Sequence, residues 1–179
     1  YILSFMMKKR IHNIEEFCTK PIKTQKKVFN NLISKAKNTA FGKEHHFNAI
    51  TKYSHFKNNI PIRTYEEFSV YITRARNGEQ NVLWPGKIKW FSKSSGTTNA
   101  QSKFIPITKE SLKECHFKGG KDMLSLYGNN FPFSDMYNGK GLMLGGTIKE
   151  SSKGDYKDGD LSAILLDEFP FWVNHHRVP

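Results

Sequence analysis

Long apolar runs are missing from this chain. Nothing in its 179 residues approaches the roughly 20 consecutive apolar positions that span a bilayer. The opening stretch Tyr1–Met7 is apolar for only about seven residues and is followed by Lys8, Lys9 and Arg10, so it has neither the length nor the leading charge of a secretory signal. Cysteine is nearly absent. Cys18 and Cys115 stand alone, with no C-x-x-C spacing, which excludes a disulfide framework. Both are read as buried, reduced thiols of a cytoplasmic protein. Acidic residues are in deficit, 16 against 28 basic ones, for a net charge of +12. A basic chain attracts anions, yet zinc-finger spacing, an RNP-like aromatic motif and an Arg-rich helix are all lacking. Nucleic acid is therefore the outsider among its partners, and most of the charge reads as solvated lysine. Repeats and low-complexity linkers are absent. So is an initiator Met, and the chain is expected to begin inside a longer protein.

What is present suffices for a core. Apolar residues make up 37% and aromatics 13% of the chain, too much for a disordered segment. Residues 1–80 read as a helical lead-in. Ile11, Ile14, Phe17 and Cys18 share one face of a first helix that stops before Pro21. Thr24 is read as the cap of a second helix, with Val28, Phe29, Leu32, Ile33 and Ala36 on its apolar face. A broken stretch carrying Phe41, Phe47, Tyr53 and Phe56 follows. Thr64 and Glu67 have the spacing of a capping box for a third helix, buried through Phe68, Tyr71, Ile72 and Ala75 and ended by Gly78.

Residues 81–179 read as a sheet region. Ile88–Phe91 and Phe104–Ile107 are expected strands, and Pro106 places the second at an edge. Thr108 is expected to cap a long helix reaching about Tyr127. The pair Gly119-Gly120 inside it costs roughly 1 kcal/mol per glycine, tolerable where another backbone packs closely. Gly141–Gly145 reads as a buried strand. Leu161–Leu166 fits strand or helix. Phe169, Phe171 and Trp172 near the end suggest further structure that would cover them.

The chemistry-bearing segment lies between the two expected strands, Lys93-Ser-Ser-Gly-Thr-Thr-Asn-Ala-Gln-Ser-Lys103. Ser94, Ser95, Thr97 and Thr98 surround Gly96, and Lys103 follows five residues after Thr98. Binding a polyphosphate calls for many donors, a backbone that can come close, and a cation. Gly96 permits close approach, the hydroxyls and backbone N–H groups donate, and Lys103 supplies a compact positive charge. The spacing is neither a P-loop nor a dinucleotide fingerprint, both of which open a helix. Lys87, Lys89 and Lys93 add local positive charge, or simply flank a strand.

This segment resembles the phosphate-binding motif of the adenylate-forming superfamily. The four residues between Thr98 and Lys103, together with Lys103-Phe-Ile-Pro106, are similar to the acyl-acid amido synthetases, a family first known from auxin-responsive plant genes. Pro61–Glu67, Trp90–Gly96, Thr108–Glu110 and Leu161–Trp172 are family-like too. Ala100 departs from the glycine that many plant members carry. The resemblance implies an α/β fold, the amino-terminal part of an adenylate-forming large domain, with a helical lead-in and then a mixed sheet flanked by helices. It implies an ATP-dependent ligase that joins a carboxylic acid to an amine through an acyl-adenylate. Ser94, Ser95, Gly96, Thr97 and Thr98 would bind phosphate, Lys103 would offset charge in catalysis, and Mg2+ would bridge the phosphates. The family's later motifs have no counterpart before Pro179, so the chain alone is expected to be an incomplete catalyst. A thioester-forming relative and a non-catalytic nucleotide- or acyl-binding module are the other readings. Neither nucleic acid nor membrane is an expected partner, and the acid, the amine and the oligomeric state are not legible.

Other polar residues read as structural. The adjacent pairs His45-His46 and His175-His176 point apart, and His55 and His116 lack partners at ligand spacing. Asp155, Asp158 and Asp160 read as a solvated turn, not a calcium loop. Gly145-Gly146-Thr147 reads as a tight turn, with a cleft lining as its alternative.

Overall fold

A computed structural model of the chain describes residues 2–94, 102–135, 138–152, 155–174 and 176–178. Helix α1 spans Ile2–Thr19 and stops short of Pro21, as the sequence requires. Helix α2 runs Pro21–Ala36 and starts on the proline itself, whose fixed φ suits a first helical position. Thr24 is thus not the cap. It lies inside the first turn, where its N–H bonds the Lys20 carbonyl. The apolar face of α2 is only partly covered. Ile33 and Ala36 are buried, while Val28 and Leu32 stay exposed. Phe17 and Cys18 of α1 are likewise exposed, and so is Cys115, contrary to the expected buried thiols. The Phe17 ring shares a face with Arg10, whose guanidinium lies 5.5 Å from its centre, and on that face α1 meets its neighbour. There the guanidinium of Arg10 grips the carboxylate of Asp122, with one bond of 2.7 Å.

The broken stretch forms α3 (Ala40–Glu44), a 3-10 turn (Phe47–Ala49) and α4 (Tyr53–Asn59). Ile33, Ala36, Phe47 and Ile50 make one buried cluster here. Phe41 ties it to the next, with its ring edge-on to Phe47, Phe68 and Tyr71. Helix α5 spans Tyr65–Arg76 and begins on the expected capping box. Thr64 Oγ1 accepts from the Glu67 N–H at 3.3 Å, and Glu67 Oε2 accepts from the Thr64 N–H at 2.6 Å. Tyr71, Ile72 and Ala75 are buried with Val82, Ile88 and Phe91. Gly78, at φ +90°, turns the chain out of the helix.

Strands β1 (Trp90–Lys93) and β2 (Phe104–Ile107) form an antiparallel hairpin. The first starts two residues later than its pattern suggested. The sheet order is β2-β1-β5-β4, where β4 is Ile148–Glu150 and β5 is Lys157–Gly159. Strand β5 runs parallel to β1, so the sheet is mixed. Pro106 sits on edge strand β2, where its missing N–H costs no ladder bond. Side chains alternate between two faces. Phe91 and Phe104 face α5, whereas Trp90 and Ile107 pack with Leu112, Leu161 and Ile164. Helices therefore flank the sheet on both sides.

Thr108 caps the next helix as expected, with a reciprocal bond pair to Ser111. Helix α6 (Lys109–Ser111) passes through a π-helical turn, Leu112–Phe117, into α7 (Lys118–Asn130). Among the described residues no backbone packs against Gly119 or Gly120, so the close approach expected there is not seen among them. Gly141–Leu142 is a two-residue strand, β3, and Leu142, Met143 and Leu144 are exposed, not buried. Leu161–Asp167 is helix α8, and Phe171–Asn174 is a short α9. Strand β3 pairs in parallel with β6, Arg177–Val178.

Candidate functional site

The hydroxyl-rich segment joins β1 to β2, as its position between two strands implied. Ser95, Gly96, Thr97 and Thr98, with Asn99, Ala100 and Gln101, lie outside the described residues. The two ends of the segment are described, and they close on each other. The Ser94 N–H donates to the Lys103 carbonyl at 2.8 Å, and the Lys103 N–H donates to Ser94 Oγ at 3.2 Å. Ser94 therefore pins the mouth of the loop, and among the described residues its own hydroxyl proton is not donated.

Lys103 points out of the core. Its side chain is 45% exposed. It borders a cleft of about 440 Å³ between α5 and the start of β2, lined also by Tyr65, Glu66, Thr73, Arg76 and Phe104. The ammonium lies 3.4 Å from Glu66 Oε1 and 5.1 Å from the centre of the Tyr65 ring. Tyr65 anchors this end of β2, because its hydroxyl accepts the Phe104 N–H at 2.8 Å. The Glu66 carboxyl is held below its ordinary range, first by a bond to its own backbone N–H and then by the Lys103 charge.

Arg76 forms the inner wall of the cleft. Its Nη2 donates to Asp158 Oδ2 at 2.9 Å and to the Tyr156 hydroxyl at 3.1 Å. The guanidinium carbon lies 3.8 Å from the centre of the Phe104 ring, with Tyr156 and Phe91 also within cation–π range. Nε is buried with no hydrogen-bond partner among the described residues, and the aromatic faces supply its negative surroundings. The sequence does not mark Arg76, and it marks Tyr65 and Glu66 only as part of the family-like Pro61–Glu67. Tyr65 and Glu66 do stand directly after the cap Thr64, which is the one local hint that they sit at a helix start.

The residues read as structural have defined places. His45 is buried against Phe41, with Nδ1 3.1 Å from the Asn59 carbonyl and Nε2 3.2 Å from Arg63. A carbonyl on one side and a guanidinium on the other require Nδ1 to donate and Nε2 to accept. Asp155 pairs with Lys87, Asp158 with Arg76, and Asp160 accepts from the Thr147 N–H. Of the three local lysines, Lys87 is thus already neutralised. Gly146 lies so close to Asp160 that a Cβ would fall 2.0 Å from its carboxylate. Among the described residues, no group of three or more His, Cys, Asp or Glu is placed to hold a metal ion.

Comparison with known proteins agrees with this architecture. The model of the GH3 family N-terminal domain matches residues 10–176. Jasmonoyl-L-amino acid synthetase JAR4 of Nicotiana attenuata is 32% identical over 151 residues, covering 82% of this chain and 26% of that protein. Indole-3-acetic acid-amido synthetase GH3.5 of Arabidopsis thaliana is 29% identical over 106 residues, covering 59% of this chain and 17% of its own length. Among solved structures, the GH3.15 acyl acid amido synthetase superposes with a TM-score of 0.74 at 22% identity, over 88% of this chain and 28% of that one. That likeness speaks for the fold alone. The chain spans about a quarter or less of the length of these curated relatives. With the family model matching nearly all of its length and a mixed α/β fold in agreement, the chain belongs to the GH3 family of acyl-acid amido synthetases, in that family's N-terminal domain.

Proposed function

We propose that this chain is the amino-terminal part of an adenylation domain and takes part in ATP-dependent amide formation between a carboxylic acid and an amine such as an amino acid. The observation that carries the reading is the position of Lys103. It stands at the end of the hydroxyl-rich segment, exposed, on the rim of an open cleft. In the first step a carboxylate oxygen attacks the α-phosphorus of ATP, the bond to the bridging oxygen breaks, and pyrophosphate leaves. In the second, the amine nitrogen attacks the acyl carbon, the bond to AMP breaks, and the amine loses a proton. Both steps demand positioning and charge neutralisation more than bond-making by the protein. Ser94 and Ser95, Gly96, Thr97 and Thr98 are assigned to the phosphate oxygens. Lys103 offsets the charge that develops as pyrophosphate departs.

Magnesium, if it takes part, would be held mainly by the substrate's own phosphate oxygens and by water, since no described group of three or more His, Cys, Asp or Glu is placed to hold it, and it would neutralise phosphate charge. The chain's own part is to bind and orient the triphosphate. No described helix is long and apolar enough to cross a membrane, and a cytoplasmic setting is part of the proposal. The test is ATP–pyrophosphate exchange by the full-length protein across a panel of carboxylic acids. Exchange is expected only with a matching acid, and Lys103→Ala is expected to lower it about 100-fold, the usual cost of one transition-state donor. Exchange at the unaltered rate in that variant removes the role given to Lys103. Failure of every acid to support exchange favours a binding module without turnover.

A further inference from the structure

The first turn of α5 meets Lys103 with two groups that the phosphate reading does not use. The Tyr65 hydroxyl accepts the Phe104 N–H at 2.8 Å and lies 3.4 Å from the Phe104 carbonyl. It thereby fixes the backbone of the residue that follows Lys103, across 39 positions of sequence. The Tyr65 ring lies under the ammonium at 5.1 Å, and the Glu66 carboxylate stands 3.4 Å from it. Lys103 is therefore flanked at its C-terminal side by the Tyr65-bonded Phe104 N–H, and its charge is met by a carboxylate. We propose that Tyr65 and Glu66 are positioning residues for Lys103, and that Glu66 is a resident counter-ion which incoming triphosphate must displace.

This inference rests on the phosphate reading of Lys103. The magnitudes suit the task. An exposed ion pair is weak, so it can orient a lysine and still yield to a polyanion. A tyrosine hydroxyl bonded to a strand's backbone is a firmer hold, because the partly buried N–H would otherwise go unsatisfied. Losing Glu66 removes the competitor for the ammonium. Losing the Tyr65 hydroxyl loosens the strand that carries it.

Magnesium–ATP affinity of the full-length protein tests the proposal in a double-mutant cycle. Lys103→Ala is expected to weaken ATP binding at least about tenfold. Glu66→Gln is expected to tighten it about two- to fivefold, the scale of an exposed ion pair, and to have no effect when Lys103 is already alanine. Tyr65→Phe is expected to weaken binding several-fold. Should Glu66→Gln shift affinity equally in both backgrounds, or in neither, Glu66 acts only as a negative charge at a helix start and the proposal falls. Because Glu66 is exposed, that arm remains decisive even if Tyr65→Phe lowers the unfolding midpoint. Unaltered ATP affinity in Lys103→Ala would instead overturn the phosphate reading beneath it.

Discussion

Arg76 shows how much one side chain can carry in this fold. It leaves the last turn of α5, stacks on Phe104 of β2 and binds Asp158 of β5, 82 positions away. Lysine has the same charge but neither the planar fork nor the stacking face. Arg76→Lys is expected to lower unfolding stability by about 1–2 kcal/mol, read as a shifted denaturant midpoint, since a half-buried charge would keep its cost and lose part of its bonding. A midpoint equal to that of the unaltered protein would show that the aromatic faces contribute nothing. Nothing in the local sequence marks Arg76 for this role. Lys103 differs. Its spacing from Thr98 is legible in the chain, five residues on, and that spacing is part of the family resemblance. Its engagement with Glu66 is not legible, since that pair forms only when α5 folds against β2.

At the scale of elements, starts and stops obey short-range rules. Thr64 and Thr108 each sit beside the partner that completes a capping box, and both boxes form. Thr64→Ala is expected to cost about 1 kcal/mol, seen as a lowered unfolding midpoint, and to leave α5 otherwise in place. Pro21 both ends the reach of α1 and opens α2, which displaced the cap expected at Thr24. Gly159 reflects a different constraint. A Cβ there would fall 2.1 Å from the Thr147 carbonyl oxygen, so strands β4 and β5 can approach only without a side chain. Gly159→Ala is expected to destabilise by about 1–3 kcal/mol or more, as overpacking does, with the loss visible in amide exchange of Ile148–Glu150. Retention of protection in those residues would contradict the close approach.

Over the whole molecule, charge is the property that reaches furthest. Although the chain is strongly basic, the carboxyls of Glu44, Glu66, Glu67 and Glu79 are held below their ordinary range. Glu44 is held there first by the Tyr71 hydroxyl, Glu67 by the Thr64 N–H and Glu79 by the Arg74 guanidinium. A depressed carboxyl contributes stability that is complete above its unfolded value, near 4.5 here, and lost as pH falls through the folded value. Stability is therefore expected to be flat with respect to these groups above about pH 5 and to decline below about pH 4.5, because the unfolded chain takes up protons first. Glu67→Gln should flatten part of that acid slope in denaturant titrations at successive pH values. An unchanged slope would mean that the bond to Thr64 persists in the unfolded chain.

Taken alone, the amino-acid order determined what local chemistry can determine. It set the caps at Thr64 and Thr108, the break at Pro21, the edge character of Pro106 and the resemblance carried by Ser94 to Lys103. These signals act through backbone angles and hydrogen bonds only three or four residues apart, so no tertiary context is needed to read them. Tertiary structure decided burial and long-range pairing. It left Phe17, Cys18, Val28, Leu32 and Met143 facing outward, although their patterns read as core. It also brought Tyr65 and Glu66 to Lys103, and Arg76 to Asp158. An apolar stripe says only which face could be covered. Whether it is covered, and which charges meet, depends on where the chain returns, and that is settled by the summed packing of distant segments.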